Sequence, residues 1–164
     1  MTTSQTSDLE RFSEELNRLY GDLRATLAKI SPARLTVQPA SGGWTPMEDL
    51  AHVAEMLGYW SGEIGRFQRQ PGAAFGRVAS NPERIRFIEA HAHDTPDQMT
   101  ALLESGYAAA LALLRRLQPA DLEITGQHVK FGPQTVRQAI QEWLIDHLDE
   151  HVRQLKAIAA EVGP

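Results

Sequence analysis

The chain contains no cysteine. Disulfides, thiolate metal sites and cysteine nucleophiles are therefore excluded, and any transition-metal site must be built from His, Asp or Glu. Long apolar runs are missing too: AAALALL at 108–114 falls far short of the roughly 20 residues that span a bilayer. Positive charge is scarce, with 16 Lys and Arg against 21 Asp and Glu and a net charge of -5. A pI near 5.7 leaves no general attraction to phosphate backbones, so neither nucleic acid nor a membrane is an expected partner. The opening MTTSQTSDLERFSEEL lacks a basic stretch followed by an apolar core, and the expected location is the cytoplasm. No sustained alternating strand pattern occurs either.

What is present is ordinary globular composition, 42% hydrophobic and 23% charged over 164 residues. One domain over 1–164 is expected, and a chain of this length buries roughly 68–70% of its unfolded surface. Four stretches carry helical periodicity, each opened by a small polar residue able to accept the orphan amide hydrogen bonds of a first turn. Ser7 and Glu10 form a capping box before an apolar stripe from Leu9 to Ile30, which predicts helix 1 over 8–30. Thr45, Pro46 and Glu48 start helix 2, over 46–69, and QPG at 70–72 stops it. Thr95, Pro96 and Gln98 start helix 3, over 96–117, while Thr135 and Gln138 start helix 4, over 136–162. The segment 123–133 carries the cues for a small hairpin ahead of helix 4.

Connection lengths choose a topology. Antiparallel neighbours need a short loop, whereas the segment between helices 2 and 3 is much longer than the roughly 2–8 residues usual in bundles. A crossover is expected there, with a short helix over 81–90 begun by Asn81 and Pro82. The fold class predicted is all-α: a four-helix bundle, up-down-down-up, with helix 2 parallel to helix 3.

Helix 4 holds two histidines, His147 and His151, inside its apolar stripe with Trp143, Leu144 and Leu155. Burying an unpaired ring nitrogen costs on the order of 1–3 kcal/mol, so both need partners. They are either core histidines bonded to a nearby Tyr, Asp or Glu, or two ligands of a metal that requires a third. His52, two turns into helix 2 and at the edge of its apolar arc, is the candidate for that third position.

Two motifs carry a resemblance. GWTPMEDLAHVAEM is similar to the tryptophan, capping box and histidine of the DinB-like, or YfiT-type, four-helix metal-dependent enzymes, and HLDEHVRQL resembles their His-x-x-x-His-x-x-Gln signature. The resemblance implies that His52, His147 and His151 bind one divalent metal, zinc or nickel, in a helical fold that commonly dimerises. Departures from the family pattern lie in the loops, which leaves the substrate open. The spelling His-x-x-Glu-His, an inverted zincin, would instead make Glu150 the base of a protease. That motif needs an acidic ligand well downstream, and 13 residues follow His151.

Three neutral imidazoles leave an ion its full charge and an open position, which suits attack on a small-molecule electrophile by hydroxide or a thiolate. The function expected is a metal-dependent hydrolase or a transferase using a low-molecular-weight thiol; the alternative is a metal- or ligand-binding stress module without turnover. Glu55 and Glu150 each stand three residues after a candidate ligand, where either would serve as general base or as a partner orienting the ligand; taken singly, each is more simply a solvated helix face. A thiol carrying carboxylates would want arginines at the pocket mouth, for which Arg84 and Arg86 on the crossover are candidates, although a plain helix surface accounts for them better. His91, His93 and His128 have no assigned role.

Overall fold

The computed structural model describes residues 7–164. Helix α1 (Asp8–Leu27), α2 (Pro46–Arg69) and α4 (Pro96–Arg116) each begin with a reciprocal capping box, and Pro82–His91 forms the short α3 with the Asn81 side chain accepting from Glu83 and Arg84. The first helix stops earlier than its apolar stripe does. The amides of Lys29 and Ile30 bond the carbonyls of Thr26 and Leu27 at 3.1 Å, a tightened last turn, and Pro32 biases the residue before it away from helical backbone. No helix among the described residues is long and apolar enough to cross a membrane.

The last rod is three pieces rather than one uniform helix: α5 (Val136–Ala139), a π-helical segment (Ile140–Asp146) and α6 (His147–Val162). Backbone angles stay right-handed helical at both junctions, so the rod continues through the wider winding. Such π turns concentrate at functional sites, and this one ends immediately before His147.

Between α4 and α5 the hairpin forms, and it is larger than the sequence cues indicate. Strand β2 (Thr125–His128) pairs antiparallel with β3 (Gly132–Thr135), and β1 (Ala74–Phe75), from the crossover, pairs parallel with β2. The alternation is too short to read in the sequence, since β1 has two residues.

Helix directions follow from which residues meet. Asp8 pairs with Arg137, Arg11 with Gln141 at 3.0 Å, and Asp22 with Lys156 at 3.8 Å, so α1 and the last rod ascend together. Gly106 lies against Ala54, and Gly65 against Leu113 and Arg116, so α2 and α4 are likewise parallel. Against these, Asp49 meets His151 while Trp60 meets Trp143, making α2 antiparallel to the last rod. One apolar cluster joins all four, with Phe12, Leu16, Met56, Ile64, Leu103 and Leu148 fully covered.

The α2–α4 contact is close because Gly106 has no side chain: a Cβ there would stand 2.6 Å from the Ala54 carbonyl oxygen. Gly106→Ala is expected to cost about 1–3 kcal/mol despite alanine's helix preference. Gly21→Ala, on open α1 surface, is expected to gain about 0.5–1 kcal/mol. Urea unfolding of both variants checks the pair, and equal stabilities would contradict the packing described.

Candidate metal centre

The start of α2 is fixed before anything is attached to it. Thr45 Oγ1 accepts from Glu48 N at 3.2 Å, Glu48 Oε2 accepts from Thr45 N at 2.8 Å, and Pro46 sets the first helical residue. From that start, Asp49, His52, Met56 and Trp60 fall on one inward face, all buried. On the facing rod, His147 and His151 stand one turn apart, so the two helices bring three imidazoles together.

One ring nitrogen from each of His52, His147 and His151 lies within 4.8 Å of the others. His52 Nε2 and His147 Nε2 are 3.4 Å apart, close to the roughly 3.3 Å that separates two nitrogens bound to a tetrahedral zinc-sized ion. Exposure is 2% at His52 and 6% at His151. His151 Nδ1 contacts Asp49 Oδ1 at 2.7 Å, and Asp49 is fully buried. Bonding to a carboxylate places the proton on Nδ1 and leaves the Nε2 lone pair free, the arrangement that orients metal-binding histidines. His52 and His147 lack such partners: their Nδ1 atoms are buried and unbonded. The core-histidine reading therefore fits His151 alone.

Burial and the neighbouring His151, in that order, push the pKa of His52 down to about 2 and that of His147 to about 4. Both rings are neutral at physiological pH, the state a metal requires. Burial raises the Asp49 carboxyl above the ordinary carboxylate range, and the hydrogen bond to His151 opposes it.

A cavity of about 150 Å³ opens beside the cluster, with His52 and His147 at one side, Trp60 and Trp143 as walls, and Arg77 and Arg84 arriving from the crossover. Glu55 is nearly covered and bonds Arg77 at 2.5 Å, with Arg77 lying 3.7 Å over the Tyr59 ring. Its carboxylate is 4.0 Å from His52 Nδ1, so it stands behind that ring. Glu150 is exposed and is not brought to the cluster. Arg86 is exposed, His93 likewise, and His91 pairs with Asp94 at 2.7 Å. His128 is buried behind the wall, stacked 4.8 Å from Trp143, with Nδ1 accepting the amides of Lys130 and Phe131.

Sequence reasoning missed Asp49 and Arg77. Asp49 had a signal, since it precedes His52 by three residues and so shares its helix face. As a first-turn acid it also satisfied the helix dipole, which concealed its second use. Arg77 had no signal, because its partner Glu55 is reached only through the fold.

The chain belongs to the DinB superfamily, whose sequence profile matches residues 15–155. No curated protein matches it by sequence. Its fold is similar to that of YfiT from Bacillus subtilis, described as "a probable metal-dependent hydrolase with an unusual four-helix bundle topology", at a TM-score of 0.78 and 16% identity over 98% of this chain and 89% of that one. It is also similar to a mycothiol-dependent maleylpyruvate isomerase, with TM-score 0.69 and 20% identity over 99% of this chain and 64% of that one. A Streptococcus pneumoniae protein matches at 0.67 and 14% identity, over 96% and 94% of the two chains. At these identities the likeness is one of fold.

The acid response of the metal-free protein tests the neutral imidazoles. In the unfolded chain they titrate near 6.5, so below that pH the unfolded state binds more protons and stability falls as pH falls. The loss from His147 is expected between 6.5 and about 4, and that from His52 continues toward about 2. Unfolding free energy measured across this range should decline more steeply for the wild type than for His147→Gln, and parallel curves would contradict the assignment.

Proposed function

We propose that this chain is a divalent-metal-dependent enzyme acting on a small electrophilic molecule, as a hydrolase or as a transferase that uses a low-molecular-weight thiol. The observation that carries the reading is the convergence of three imidazole nitrogens on one point beside a cavity, two of them on rings whose remaining nitrogens find no partner in the protein. His52, His147 and His151 would hold the ion, and an all-nitrogen donor set favours zinc or nickel over magnesium or calcium. When bound, such an ion supplies Lewis acidity at the inner end of the cavity.

The protein's own groups have separate tasks around it. Asp49 fixes the ring and tautomer of His151 through the 2.7 Å contact. Glu55, held by Arg77 with its carboxylate 4.0 Å from His52 Nδ1, is assigned as a positioning residue rather than as the general base. Trp44 lies 5.2 Å from the His52 ring, and the stacked pair Trp60 and Trp143 gives the cavity an apolar wall. No role in the chemistry is assigned to Glu150. The descriptions of the structurally similar hydrolase and isomerase support both reaction classes, and the cavity favours turnover over a purely structural ion because it reaches two of the proposed ligands.

Elemental analysis of untagged protein after zinc or nickel loading should give close to one ion per chain, falling to a small fraction in His52→Ala and His147→Ala. Asp49→Asn should retain the fold and lose about 10–100-fold in metal affinity. A screen with activated esters, amides, and electrophiles plus thiol should then find turnover that His147→Ala abolishes. Metal bound without turnover in either class would move the reading to a non-catalytic binding module.

A further inference from the structure

We propose that the open side of this site receives an amphipathic organic carboxylate, its anionic end against Arg84 and its apolar body along Val78 and Phe131. The proposal takes its reactive centre from the metal-site reading, but its recognition residues are separate from the three histidines.

The two cavity arginines differ in what they already hold. Arg77 is spent: Glu55 neutralises it at 2.5 Å. Arg84 is half-buried and has no carboxylate within ion-pair distance among the described residues; its guanidinium donates to the Ala79 carbonyl at 3.1 Å and lies 5.3 Å from the Trp44 ring centroid. Burial first, then repulsion from Arg77, lowers its pKa, against a smaller attraction from Glu55. A single planar guanidinium matches one carboxylate in a two-bond fork. A phosphate dianion would call for a second free cation that Arg77 does not supply.

Size and surface then describe the rest of the ligand. At about 150 Å³ the cavity is half the lower end of the roughly 300–1,000 Å³ usual for pockets that enclose a whole ligand. It admits a reacting group and a head group, and leaves the body outside. The large apolar side chains exposed among the described residues are Val78 at 48%, Ile85 at 40%, Val129 at 59% and Phe131 at 53%. Two of them are tied to the cavity: Val78 lines it, and Phe131 stacks 5.8 Å from the wall residue Trp143. Exposed apolar side chains at the cavity and against its wall, beside an unpaired cation, complement an anion with a hydrophobic body.

Tryptophan fluorescence of the metal-loaded protein, titrated with 4-phenylbutyrate, 4-phenylbutyramide, acetate and phenylphosphonate, tests this. Phenylbutyrate should bind about tenfold or more tighter than the amide and than acetate. Arg84→Gln should abolish the first difference, and Phe131→Ser, at an exposed position, should reduce the second. Equal binding of amide and carboxylate, no effect of Arg84→Gln, no effect of Phe131→Ser, or tighter phenylphosphonate would each overturn the proposal. Metal content measured on the same samples separates the two readings. Arg84-dependent binding without metal would sink only the metal centre, and full metal with no anion preference would sink only the carboxylate site.

Discussion

The contact between Asp49 and His151 is the constraint on which the site depends. It joins the first turn of α2 to the second turn of α6 inside an apolar core, and both groups are nearly or wholly excluded from solvent. A buried carboxylate is tolerable only when paired, and a buried imidazole only when bonded. Each solves the other's problem, and the pairing sets the height at which α2 meets the last rod. His52, one turn along from Asp49, is thereby brought level with His147, one turn back from His151. The antiparallel crossing carries both steps toward the same point.

That geometry explains why the bland alternative fails at two of the three rings. His151 is held as a core histidine is, its Nδ1 on the Asp49 carboxylate. His52 and His147 instead face each other across 3.4 Å and leave Nδ1 unbonded, while Asp49 Oδ2 has no partner either. Orphaned buried polar atoms are few in native proteins. Three in one neighbourhood mark a place where the protein's own groups do not complete the bonding.

The helices were legible because their signals are local. A capping box needs four residues, a stripe needs a few turns, and neither depends on the rest of the fold. His147 and His151 were legible for the same reason, and His52 followed once a third donor was required. Whatever rested on tertiary pairing was not. Glu55 and Glu150 hold equivalent places three residues after a cluster histidine, yet one is pinned by Arg77 and the other faces water. Nothing along the chain distinguishes them. The π winding before His147 and the two-residue strand β1 are equally invisible, since each is decided by the packing of distant segments.

The topology supplies the site's outer half as well as its helices. Because α2 and α4 run in the same direction, the chain leaving α2 must travel back along the bundle before α4 can begin. It departs from the end of α2 remote from His52 and returns to the end that carries it. On the way it gives up β1 to the hairpin and then lays Arg77, Val78, Ala79 and Arg84 beside Trp60, His52 and His147. A bundle of antiparallel neighbours with short loops would leave the histidine cluster open to water at its end. The parallel pair makes a covering segment unavoidable, and the residues on that segment, unlike those of the helices, can change without disturbing the core. The fold thus separates a histidine cluster fixed by the core from a loop surface beside it that can vary, since connecting segments tolerate change that packed helices do not.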